Sequence, residues 1–164
     1  MKRARVLLGD DHTIILEGVR RILEPHFEVV GAVADGRALI AAAEELHPDV
    51  VVADISMPLL NGIEVARQLQ KSPSPAKIIF LTMHPDATYA TEAFRAGASG
   101  YVLKSSAAGE LVTAIQEALR GRTYITPLVA GDVMRKLMEA PQPSTRRLDR
   151  EFSLEVRLRG SDRR

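Results

Sequence analysis

The chain predicts a doubly wound α/β fold, a parallel sheet with helices on both faces. Five short apolar runs recur along the first two thirds of the chain, and helical spacing fills the segments between them. The runs are nearly pure Val, Ile and Leu, which suits strands covered on both faces better than half-exposed antiparallel ones. Asp10-Asp11, Asp54, Thr82 and Lys104 stand at the ends of four of these runs. In a parallel sheet the carboxyl ends share one edge, and ligands bind in the crevice there.

The strand-like runs begin near Arg5, Glu28, Asp49, Lys77 and Gly100. After the first, Ile14, Ile15, Gly18, Val19, Ile22 and Leu23 mark one helical face, and Pro25 follows its end. Asp10 and Asp11 have a second reading here, as N-caps of that helix. Residues 36–46 are alanine-rich and stop before His47-Pro48. Asn61 is placed to cap a helix carrying Ile63, Val65, Ala66 and Leu69, and Ser72-Pro73-Ser74-Pro75 breaks the chain before the fourth strand. Ala90, Ala93 and Phe94 define a short helix closed by Gly97; Leu111, Val112, Ile115, Ala118 and Leu119 define another closed by Gly121. Periodicity does not give the strand order; the usual solution for five such units is flavodoxin-like, 2-1-3-4-5.

Beyond this unit, residues 1–122, a C-terminal linker helix is expected within 123–140, with Thr126 as N-cap, Pro127 at the first helical position and Leu128, Val129, Val133, Leu137 and Met138 along one side. Its apolar face must pack on the domain or on another copy. Phe152, Leu154, Val156 and Leu158 alternate like a strand with nothing to pair with, so 141–164 is expected to be a disordered basic tail.

Charge is unevenly spread. Residues 1–140 hold 15 Lys/Arg against 17 Asp/Glu, and the remaining residues hold seven Arg against four acids. Such a tail can touch nucleic acid electrostatically, but a solvated end is the ordinary reading. No apolar run approaches the ~20 residues of a membrane span. Met1-Lys2-Arg3 leads straight into a strand, so no secretory signal is expected, and without cysteine there are neither disulfides nor thiolate metal sites. The expected location is cytoplasmic.

An aspartate is a competent nucleophile toward a phosphoryl group and yields an acyl phosphate. Clustered carboxylates repel one another unless a cation sits among them, and Mg²⁺ suits a few carboxylates completed by water and phosphate oxygens. The Lys104 ammonium and the Thr82 hydroxyl add charge neutralisation and a hydrogen bond, the two things phosphoryl transfer asks of a protein. His12, His26, His47 and His84 show no ligand spacing. His84, two residues after Thr82, is placed near the mouth of the site.

These residues resemble the receiver domain of two-component response regulators. The resemblance rests on Asp10-Asp11, on Asp54-Ile55-Ser56-Met57-Pro58 with Gly62, on Thr82 and on Gly100-Tyr101-Val102-Leu103-Lys104, and it spans roughly residues 3–122. It implies Asp54 as phosphoacceptor, Mg²⁺ held by Asp10, Asp11, Asp54 and the Ser56 carbonyl, Lys104 on the phosphoryl oxygens, and Thr82 with Tyr101 as a switch pair acting on the surface around the fourth and fifth helices. The implied partners are a sensor histidine kinase and, on phosphorylation, a second copy of the chain.

Asp10-Asp11-His12, Glu17-Gly18, Ala96-Gly97-Ala98-Ser99-Gly100-Tyr101 and Gly121-Arg122-Thr123-Tyr124 resemble the nitrate-regulator/LuxR-type branch. That branch continues into a helix-turn-helix domain, which the residues after Ala140 are too few to bury. DNA binding by this chain is therefore not expected. The alternative function is a truncated transcription regulator whose DNA-binding domain is lost. A haloacid-dehalogenase-type phosphatase also uses an aspartyl nucleophile, but it wants an acid where Ser56 stands. A glycine-rich nucleotide loop is excluded because Gly9-Asp10-Asp11-His12 places acids there.

Overall fold

In a computed structural model of the chain, residues 2–73 and 75–139 are described. The expectations for 141–164, including the alternating Phe152 to Leu158, lie outside them. The order of elements is β1 (Arg5–Gly9), α1 (Thr13–Leu23), β2 (Glu28–Val33), α2 (Gly36–Leu46), β3 (Val50–Ala53), α3 (Gly62–Leu69), β4 (Lys77–Thr82), α4 (Ala87–Arg95), β5 (Gly100–Leu103), α5 (Ala107–Leu119), β6 (Tyr124–Ile125) and α6 (Pro127–Met138).

All strands pair in parallel in the order β2-β1-β3-β4-β5-β6. The flavodoxin-like order is present, with one strand more than expected. Gly121, at φ +79°, ends α5 and turns the chain back, so that Tyr124 and Ile125 lie beside Gly100 and Tyr101. The added strand covers the upper edge of β5, which would otherwise present unpaired backbone groups.

Strand alternation sends the side chains into two cores. Val6, Leu8, Val52, Ile79, Leu81 and Val102 pack with Val19 and Leu23 of α1 and Leu111 and Ile115 of α5. On the other face Leu7, Val51, Ile78 and Phe80 meet Leu39 of α2, Ala66 of α3 and Ala90 of α4. Val129 and Val133 of α6 join this second core, and α6 lies against α4. Leu128, Leu137 and Met138, expected along the same side of this helix, are exposed instead.

Local chemistry fixes the helix starts. Asp35 caps α2 by accepting from Ala38 N–H at 2.7 Å, Asn61 caps α3 through Glu64 N–H at 3.0 Å, and Asp86 caps α4 through Thr88 N–H at 2.7 Å. Helix α1 begins at His12 with no side-chain cap, so the capping reading of Asp10 and Asp11 does not hold. Thr126 does precede Pro127 at the start of α6, but its hydroxyl does not cap that helix either.

Val133 is fully buried whereas Leu128 on the same helix is 73% exposed. Val133→Ala should therefore lower the unfolding free energy by about 2 kcal/mol, and Leu128→Ala by under about 0.5, in urea titration. Equal losses would mean that α6 does not pack on α4.

Candidate functional site

The carboxyl ends of β1, β3, β4 and β5 bring the polar residues together. Asp10 follows β1, Asp54 follows β3, Thr82 ends β4 and Lys104 opens a short 3-10 turn, Lys104–Ser106, after β5. Main-chain bonds hold the two aspartate segments side by side, with Asp54 N–H donating to the Gly9 carbonyl at 2.9 Å. Behind Asp54, α3 starts at Gly62, whose N–H donates to the Ile55 carbonyl at 2.8 Å. A Cβ there would stand 2.9 Å from the Asp54 carbonyl oxygen and 2.7 Å from the Phe80 ring, so only glycine lets the helix approach this closely.

Lys104 Nζ lies 2.8 Å from Asp10 Oδ2 and 3.1 Å from Asp54 Oδ2, and all three side chains are nearly excluded from solvent. Asp54 Oδ1 accepts from Ser56 N–H at 3.1 Å, so both of its oxygens are engaged. Asp10 Oδ1 accepts from His12 N–H at 2.9 Å and lies 2.8 Å from His12 Nδ1, which also stands 3.2 Å from Asp11 Oδ1. Ligand atoms of Asp10, Asp11, His12 and Asp54 all lie within 4.8 Å of one another. Among the described residues, three carboxylates meet one ammonium, that of Lys104, which leaves the cluster short of fixed positive charge. Its oxygen donors match what Mg²⁺ prefers, and Mg²⁺ would supply the missing charge.

Burial by itself lowers the Lys104 pKa, but the hydrogen bond to Asp10 and the charges of Asp54 and Asp10 outweigh it. The ammonium is held above its ordinary 10.5. The site lysine is therefore a fixed positive charge at neutral pH.

Thr82 is fully buried, and its Oγ1 accepts from His84 N–H at 3.2 Å. Tyr101 is fully buried too, and its hydroxyl donates to the His84 carbonyl at 2.5 Å. Both residues thus hold the β4–α4 loop at His84. His84 Nε2 in turn lies 3.4 Å from Ser56 Oγ, two residues beyond Asp54, and its ring stacks obliquely on Tyr89 at 5.0 Å. Burial raises the Tyr101 phenol well above its ordinary value. The Asp86 and Asp54 charges push the same way, and the Thr82 hydroxyl pulls back.

Every residue that the sequence points to at the strand ends reaches this edge. Ser56 is present with its amide on Asp54; Tyr101 lies behind the site rather than in it, connected through the β4–α4 loop. His12, which shows no ligand spacing in the sequence, nevertheless offers a ring nitrogen to the acidic cluster, and Asp86 was missed. The available signals were the adjacency of His12 to Asp10-Asp11 and the position of Asp86 one residue before a helix.

A family model described as the response regulator receiver domain matches residues 6–116. The transcriptional regulatory protein DegU of Brevibacillus brevis is 38% identical over 136 residues, which are 82% of this chain and 58% of that protein. The chain thus spans little more than half the length of that curated relative. Among solved structures, a LuxR-family two-component response regulator from Aurantimonas sp. SI85-9A1 aligns with a TM-score of 0.78 and 41% identity over 84% of this chain and 100% of its own. The isolated receiver domain of RcsB from Salmonella enterica serovar Typhimurium, solved with the phosphomimetic BeF₃⁻, aligns with a TM-score of 0.72 and 29% identity over 79% of this chain and 97% of its own. Among the described residues, no helix is long and apolar enough to cross a membrane.

Alongside the raised value of Tyr124, the raised Lys104 and Tyr101 values contribute to the alkaline limit of stability. The folded state keeps both protons at a pH where the unfolded chain loses them, so this contribution is complete below their ordinary values, 10.5 and 10.0, and is lost as pH rises through the folded ones. The urea midpoint should fall as pH rises from about 10 to about 12, and less steeply in Tyr101→Phe. A midpoint that rises over that range would contradict the assignment.

Proposed function

Since the chain belongs to the response-regulator receiver family, we propose that it accepts a phosphoryl group on Asp54 from a sensor histidine kinase and relays that event through the α4-β5-α5 surface. The observation that carries this reading is the Lys104 ammonium lying between Asp54 and Asp10 in a cluster of three acids. A carboxylate held by one amide and one ammonium at a sheet edge is oriented for attack and has its charge compensated beside it.

In the proposed step, an Asp54 oxygen forms a bond to phosphorus while the bond between phosphorus and the donor's histidine nitrogen breaks. The electron pair leaves with that nitrogen. Lys104 is placed to exchange its contact with Asp54 for one with a phosphoryl oxygen, and the Ser56 amide keeps the acyl carboxyl in place. Asp10, Asp11, Asp54 and the Ser56 carbonyl would hold Mg²⁺, which would supply the remaining neutralisation of negative charge. The acyl phosphate is later hydrolysed to restore the carboxylate, so the chain takes part in its own phosphorylation and dephosphorylation without turning over a separate substrate.

Thr82 and Tyr101 form the proposed switch. A phosphoryl oxygen would accept from the Thr82 hydroxyl and draw it toward the site, and the His84 N–H that donates to this hydroxyl would follow, shifting the β4–α4 loop that Tyr101 also holds. A local change of charge is thereby read by a surface with two arrangements. Pairing with a second copy on phosphorylation belongs to the same proposal, and a cytoplasmic location is consistent with it.

Incubation with acetyl phosphate and Mg²⁺ should label the wild-type chain and leave Asp54→Asn unlabelled, read as bound phosphate by intact mass. Persistent labelling of the variant would sink the proposal. Independently, Mg²⁺ at roughly a hundred times its Kd should stabilise the wild type by about 2.7 kcal/mol. That gain should largely vanish in the Asp10→Asn, Asp11→Asn double variant, measured by urea unfolding with and without the ion. An equal gain in both proteins would place the cation elsewhere.

A further inference from the structure

From the contacts of Thr126 we infer that it is the positioning residue for Lys104, and that the site is completed from the C-terminal segment. Thr126 lies beyond residues 6–116, the extent of the family match, and it is 2% exposed although it immediately precedes a helix. It grips β5 twice. Its N–H donates to the Tyr101 carbonyl at 2.9 Å, and its Oγ1 accepts from Leu103 N–H at 3.1 Å.

The second contact follows from a conflict between strand and helix. The β5–β6 ladder pairs only Gly100 with Tyr124 and Tyr101 with Ile125, after which Pro127 starts α6. A longer β6 would offer the Thr126 carbonyl to Leu103 N–H. That carbonyl instead accepts from Val129 N–H at 3.1 Å, as the helix requires. The side-chain hydroxyl takes the carbonyl's place in the ladder, and for that reason it does not cap α6. Without it, the Leu103 amide is a buried donor with no partner, a situation that folded chains avoid by shifting the backbone.

Leu103 is the last residue before Lys104, so the path of its peptide aims the lysine stem. The ammonium must meet Asp10 and Asp54 together, at 2.8 and 3.1 Å, and a small tilt of the 3-10 turn breaks that double contact. The hydroxyl of Thr126 thus acts on the proposed phosphorylation through Lys104, and this inference rests on that proposal.

The test is the rate of Asp54 labelling by acetyl phosphate with Mg²⁺ in four proteins: wild type, Thr126→Val, Thr126→Ser, and Thr126→Val combined with Lys104→Ala. A misplacement of this kind should slow Thr126→Val by about tenfold. Thr126→Ser, which keeps the acceptor, should restore most of the rate, and Thr126→Val should add no further loss on top of Lys104→Ala. If the wild type is not labelled, the phosphoacceptor reading fails first. If it is labelled and Thr126→Val is equally fast, or the loss persists in full without Lys104, the positioning role is wrong. Hydrogen exchange in the wild type checks the contact without any variant. The Leu103 amide should be strongly protected, and exchange at the rate of an open sheet edge would overturn the inference even if Thr126→Val does not fold.

Discussion

The placement of the Lys104 ammonium between Asp10 and Asp54 is the constraint on which the rest depends. Three nearly buried ionised side chains are tolerable only as a set. Removing one partner from such a set typically costs on the order of 3–5 kcal/mol, because it leaves a buried charge without compensation. A well-packed apolar substitute would be as stable or more so. The site is therefore explained by chemistry at the sheet edge rather than by a contribution to folding. The fold's task is to deliver four strand ends to one place with errors well below an ångström.

The parallel sheet meets that demand in a direct way. The central strands β1, β3 and β4 are mostly Val, Ile and Leu because helices cover both faces, and this packing restricts their register. The polar residue after each strand inherits that rigidity. Gly62 adds the close approach of α3 behind Asp54, and the two contacts of Thr126 extend the ladder past the short β6. Behind this edge, Thr82 and Tyr101 meet at one loop residue, His84, through its amide and its carbonyl. A change at the strand ends and a change in the β4–α4 loop therefore act on the same residue, through the two peptide units that flank it, as the proposed switch requires.

Much of this was legible in the sequence, because strongly periodic segments and residues at strand ends depend on local pattern. The five long strands, the Asn61 cap and the closing glycines Gly97 and Gly121 all follow from spacing and turn chemistry. What was not legible depends on neighbours distant in the chain. Tyr124–Ile125 is too short to carry a period, and it is a strand only because the edge of β5 lies beside it. Thr126 reads as a helix cap, yet a buried Leu103 amide competes for its hydroxyl and wins. Asp10 likewise reads as a cap, and it is diverted by Lys104 and His12. In the last two cases a residue with two possible hydrogen-bond partners is decided by tertiary proximity, which local spacing does not encode.

The most direct test of the central claim is to locate the acyl phosphate chemically. After reaction with acetyl phosphate and Mg²⁺, borohydride reduces an aspartyl phosphate to homoserine, and tandem mass spectrometry of the peptides reads its position. The account predicts homoserine at position 54 and at no other acidic residue. Reduction at Asp10 or Asp11 instead, or a phosphate that borohydride leaves intact on His12 or Ser56, would contradict it.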